Sequence, residues 1–80
     1  MDPFIGQIKL FPYNYEPMYW AFCAGQILQI QQYSALFALI GNKFGGDGKT
    51  TFALPDLRGA EPQAGSHYFI ALYGLFPIRS

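Results

Sequence analysis

The chain predicts an α+β fold dominated by β structure, with one short buried helix. Two observations carry this. Short apolar or β-prone runs recur at 3–12, 18–24, 27–30, 49–54 and 67–76, cut apart by Pro and Gly. Only one segment, 35–40, has the dense apolar character of a short helix. The length of 80 residues is enough for one small domain, 1–80, and no more.

The elements follow in order. Residues 3–12 read as a strand, with Ile8 and Leu10 on one face and Gln7 and Lys9 on the other. Pro12 stops it, and PYNYEP (12–17) reads as a turn. MYWAFCA (18–24) is a continuous apolar run of strand length, broken by Gly25-Gln26 before the short piece ILQI (27–30). Ser34 is the expected N-cap of a helix over 35–40. Leu36, Phe37, Leu39 and Ile40 predict burial nearly all round that helix, and Gly41 is expected to end it in the left-handed region. FGGDG (44–48) must be a tight turn, and KTTFAL (49–54) is β-prone. Pro55 limits that strand, and Asp56 opens a turn that Gly59 closes. AEPQAGS (60–66) is the one linker-like stretch. HYFIALYGLF (67–76) is a strand apolar on both faces, so it is either central in a sheet or covered by a neighbouring subunit.

Composition points to association. The chain is 51% hydrophobic and only 12% charged, against about 25% charged in a typical soluble chain. Its eight Phe, six Tyr and one Trp, at about 150–250 Å² each, bring roughly 3,000 Å² of side chain to hide. A fold of this mass has a surface of roughly 4,900 Å² and buries only about 60% of what its unfolded chain exposes. Formal net charge is zero, which removes the repulsion that keeps surfaces apart. The cations Lys9, Lys43, Lys49, Arg58 and Arg79 are scattered, so no basic stripe for nucleic acid is present. No apolar run approaches a membrane span, and the N-terminal segment lacks the h-region of a signal peptide.

Catalytic, cofactor and metal motifs are not expected. GGDGKTT suggests a phosphate loop, but the first glycine of that motif would fall at Lys43. His67 is the single histidine, so only copies meeting on a threefold axis would gather imidazoles for a metal. Cys23 is the single cysteine and reads as a small buried hydrophobe. With one His, no triad forms around Ser34, Ser66 or Ser80.

Three stretches resemble the phage tail collar domain, also found in microcystin-dependent proteins. GQIKLFPYNYEPMYWAFCAGQIL (6–28) is similar to its opening pattern, with Trp20, Cys23 and Gly25 at the Trp-x-x-Cys-x-Gly positions. ALFALIGNKFGGDGKTTFALPDLRG (35–59) is similar to its central signature, and YFIALYGLFPIRS (68–80) to its last strand. Tyr19 stands where the family usually has Gly, Ala24 where it has Asp or Asn, and Ala60 where a basic residue follows. Residues 60–67 replace a long variable region, so the chain looks like a minimal version of the domain.

The resemblance implies a non-enzymatic structural protein: an extracellular fibre, a filament, or a phage tail-fibre-like homo-oligomer and virion component. A trimer or a filament built by strand donation is the expected partner arrangement. Phe4, Ile8 and Leu10 of the first strand and Tyr68, Ile70, Leu72 and Leu75 of the last are the candidate assembly residues, with Ile70→Lys expected to dissociate a folded monomer. Gly45, Gly46, Gly48, Pro55, Asp56, Arg58 and Gly59 are expected to fix the backbone corners. The alternative reading is an adhesive module that contacts surface glycans or a receptor through Tyr13, Tyr15 and Tyr19.

Overall fold

A computed structural model describes residues 3–76. The fold is strand-dominated with one short helix. The elements are β1 (Ile8–Phe11), β2 (Trp20–Phe22), β3 (Ile27–Gln29), α1 (Ser34–Ile40), β4 (Thr51–Ala53) and β5 (His67–Ala71). They form a three-stranded antiparallel sheet in the order β1-β5-β2 and a two-stranded antiparallel sheet β3-β4.

The last strand is therefore the central one. Its register sets Ile70 opposite both Ile8 and Ala21, and Phe69 opposite both Lys9 and Phe22. This explains why HYFIA is apolar on both faces. On one face Ile70 and Ala21 join Leu36 of α1 and Phe52 and Leu54 of the second sheet in the main core. On the other face Phe69 is fully buried, with Phe22 at 4.7 Å and Phe11 at 5.5 Å between ring centroids. Trp20 meets Phe11 edge-on at 5.3 Å. Each fully buried side chain of this size contributes about 1.5–3 kcal/mol of transfer free energy.

Every strand is shorter than its apolar run. Over 3–12 the cause is a turn: the Gln7 N–H donates to the Phe4 carbonyl (3.1 Å), and Gly6 takes φ +83°. Gly6 and Gln7 then both oppose Ala71, since the Gly6 N–H donates to the Ala71 carbonyl and the Ala71 N–H to the Gln7 carbonyl. That is a glycine bulge, which starts the ladder only at Ile8. At the other end β5 stops at Ala71, and Leu75 instead forms a parallel bridge with Phe4.

Two expectations for the helix are corrected. The residue preceding it is Tyr33, not Ser34, and no side chain caps it. Tyr33 is already held by the Gln29 and Ile30 carbonyls in the preceding turn, so Ser34 is helical. Nor is the helix buried all round: only Leu36 is fully buried, while Ser34 and Ala38 are exposed.

Candidate assembly surface

The family-like segments meet at one corner. The Leu57 N–H donates to the Cys23 carbonyl (2.8 Å) and the Gly25 N–H to the Pro55 carbonyl (3.2 Å). The end of Trp-x-x-Cys-x-Gly is thus tied to PDLRG. Asp56 accepts Arg58 Nε at 2.9 Å on Oδ1 and Nη2 at 2.7 Å on Oδ2, and also the Arg58 N–H. The Arg58 side chain, followed by its backbone N–H, lowers the Asp56 carboxyl to about 2. Burial pushes the Cys23 thiol up to about 11, the behaviour of a packed hydrophobe rather than of a nucleophile.

The glycine turn is organised by Asp47. Its Oδ1 accepts the N–H groups of Lys49 (2.8 Å), Thr50 (2.8 Å) and Thr51 (2.9 Å), and Oδ2 accepts the Thr50 hydroxyl (2.9 Å). These four bonds, led by those from Thr51 and Thr50, hold the carboxyl well below its usual range. Gly46 sits at φ +87° directly against the Phe52 backbone, so no side chain fits there. The Lys49 and Thr50 amides of the phosphate-loop-like stretch are thus taken by the chain's own carboxylate.

The edges of the larger sheet differ. On β2 the Trp20 N–H donates to the Pro17 carbonyl (3.0 Å) and the Phe22 N–H to Glu16 Oε2 (2.8 Å). The 12–17 loop thereby closes that edge. On β1, among the described residues, the backbone groups of Ile8 and Leu10 have no such partner.

The sequence-derived interface residues fall into three groups. Phe4, Ile8, Leu10 and Leu75 are exposed, Phe4 and Leu75 by about half, and Phe4 and Leu75 are neighbours through their bridge. Tyr68 and Leu72 are half-buried against the core. The sequence reading places Ile70 at a subunit contact; in the single chain it is 1% exposed and lies in the core with Ala21, Leu36, Phe52 and Leu54. The tyrosines also separate. Tyr13 stacks on Phe11 (5.2 Å) and Tyr15 on Tyr13 (5.3 Å), whereas Tyr19 packs edge-on against Tyr73 (5.7 Å).

Other exposed apolar residues, Met18, Ile27, Phe44, Tyr73 and Phe76, were not anticipated. A groove of about 290 Å³ beside Tyr33 and Tyr73 was not either, and no charged side chain lines it. Burial and the neighbouring Tyr73 push the Tyr33 hydroxyl up. Among the described residues no group of three His, Cys, Asp or Glu is placed to hold a metal, and no helix is long and apolar enough to cross a membrane.

The phage tail collar domain matches residues 6–62, and the chain belongs to that family. Membership places it in a class of structural phage-tail components and implies a virion part. The match stops before β5, so the likeness of 68–76 to the family's last strand lies beyond it, and 77–80 lie outside the described residues. No curated protein and no solved structure shows a significant match.

Proposed function

We propose that the chain is a non-enzymatic structural subunit that self-assembles into an extracellular fibre, a filament or a tail-fibre-like homo-oligomer. The observation that carries this reading is the apolar surface. Phe4, Ile8, Leu10, Leu75 and Phe76 stand exposed on a chain of zero net charge. Exposed apolar patches of this kind mark sites of protein contact. Family membership supports the same reading, since collar domains belong to tail structures.

Electron microscopy of the purified chain at neutral pH tests it. Fibres or uniform multi-subunit particles are expected. A field without ordered particles, from protein that is folded by circular dichroism, overturns the reading.

A further inference from the structure

Four strand edges face outward, and the chain itself closes two of them. On β2 the outward amides are taken by Pro17 and Glu16. On β4 the Ala53 N–H donates to the Gly45 carbonyl (3.1 Å) and the Thr51 N–H to Asp47 Oδ1 (2.9 Å). The β1 edge stays open, and the β3 edge stays open except at the Gln29 carbonyl. In the β1–β5 ladder the Ala71 N–H bonds Gln7, and alternation then turns the backbone groups of Lys9 and Phe11 inward and those of Ile8 and Leu10 outward. In the β3–β4 ladder the bonds from Ile30 to Thr50 and from Leu54 to Gln26 turn Leu28 inward and Ile27 and Gln29 outward. Among the described residues, Ile8, Leu10 and Ile27 have no partner for their outward groups, and Gln29 has none for its N–H. The Gln29 carbonyl is already used by Gln32 and Tyr33.

Resting on the assembly reading above, we propose that the open edge of β1 pairs antiparallel with the open edge of β3 of a second copy. Ile8 then lies opposite Gln29, Lys9 opposite Leu28 and Leu10 opposite Ile27. The N–H groups of Ile27, Gln29 and Leu10 gain acceptors, that of Ile8 faces the occupied Gln29 carbonyl, and exposed Ile8, Leu10 and Ile27 are covered together. Twofold pairing of β1 with itself in the register that uses both Ile8 and Leu10, centred on Lys9, fits worse, because it sets two ammonium groups directly opposite, which is destabilising. Pairing β3 with itself leaves β1 open. Each copy carries one edge of each kind, so the contact is head-to-tail and grows into a ring or a filament.

Cross-linking in the full chain tests the pairing. Cα atoms across a hydrogen-bonded antiparallel pair are about 5.5 Å apart, within disulfide range. The double variant Ile8→Cys with Gln29→Cys replaces two exposed residues, and Leu10→Cys with Ile27→Cys is a second pair in the same register. Buried Cys23 does not compete. Oxidation of either double variant should give a ladder of covalent multiples on non-reducing gels, collapsed by reductant, while each single variant stays at one chain. A covalent dimer from Ile8→Cys alone, or from the double variant Ile8→Cys with Leu10→Cys, overturns the assignment in favour of β1 self-pairing. Assembled particles without a ladder from either pair overturn the edge pairing but not assembly. A one-chain mass for the unsubstituted protein overturns the assembly reading and the pairing with it.

Discussion

The Glu16 carboxylate accepts the Phe22 backbone N–H at 2.8 Å across the outer edge of β2. A side chain six residues upstream thus stands where a fourth strand would otherwise bond. Edge closure by a charged residue is a known defence against unwanted pairing, and here it is applied to one side of the sheet only.

Glu16→Ala should reopen that edge. The expected result is faster amide hydrogen exchange at Phe22 and a broader size distribution in solution. Glu16→Gln keeps an acceptor oxygen and should behave closer to the parent. Hydrogen exchange followed by NMR reads the first effect, and unchanged Phe22 protection in Glu16→Ala would show that the carboxylate does not close the edge.

Ile70→Lys and Ile8→Lys should differ in kind. Ile70 is 1% exposed, whereas Ile8 is 43% exposed. Burying an unpaired ammonium falls in the class that costs more than about 4 kcal/mol. A chain this size is expected to be stable by only roughly 4–12 kcal/mol, so Ile70→Lys should be largely unfolded by circular dichroism. Ile8→Lys should stay folded within about 1 kcal/mol of the parent and lower the particle mass.

Much of this fold could be read from the chain, and the misreadings have physical causes. HYFIALYGLF showed that its strand needs cover on both faces, and the structure makes it the central strand, with the main core on one face and the rings of Phe22 and Phe11 against Phe69 on the other. That pattern does not say whose residues provide the cover, which is why the sequence reading sets Ile70 at the assembly interface. Strand lengths were not legible, because the Gly6 bulge and the Leu75 bridge are pairings between distant parts of the chain. Glu16 gave no signal at all: one acid in a Pro-flanked loop does not reveal which amide it meets. The departure at Tyr19 was visible, and the backbone explains why glycine is usual at that position. Tyr19 alone among the described non-glycine residues has positive φ (73°), a conformation that glycine adopts freely.

Tyr19→Gly should therefore show two opposed effects. Relief of the left-handed backbone is worth about 1–2 kcal/mol, while loss of the edge contact with Tyr73 removes about 0.5–1.5 kcal/mol. The net change in urea midpoint should be small. The double variant Tyr19→Gly, Tyr73→Ala separates the terms, and a large loss of stability from Tyr19→Gly alone would contradict the strain argument.

Acid should weaken the glycine turn. The Asp47 carboxyl is depressed in the folded chain by its bonds to Thr51, Thr50 and Lys49. A depressed carboxyl contributes stability that is fully present above its unfolded value, about 3.9, and is lost as pH falls through the folded value. Asp56, lowered to about 2, acts in the same direction. Urea midpoints should fall from pH 5 towards pH 2, and Asp47→Ala should be less stable at pH 7 and show a shallower acid decline. An equally steep decline in that variant would assign the pH dependence to other groups.

Gly46→Ala should destabilise by more than about 1 kcal/mol, because the added methyl meets the Phe52 backbone and φ is +87°. Gly59→Ala, with φ +88° but open space around it, should show only the backbone share of that cost. Thermal melts of the two variants separate steric overlap from conformational strain.

The most direct test of the account is the mass of the unsubstituted chain in neutral buffer, measured by size-exclusion chromatography with light scattering over a dilution series. The account predicts a mass several times 9.0 kDa that falls on dilution or on Ile8→Lys substitution. A single species at 9.0 kDa across all concentrations would contradict it.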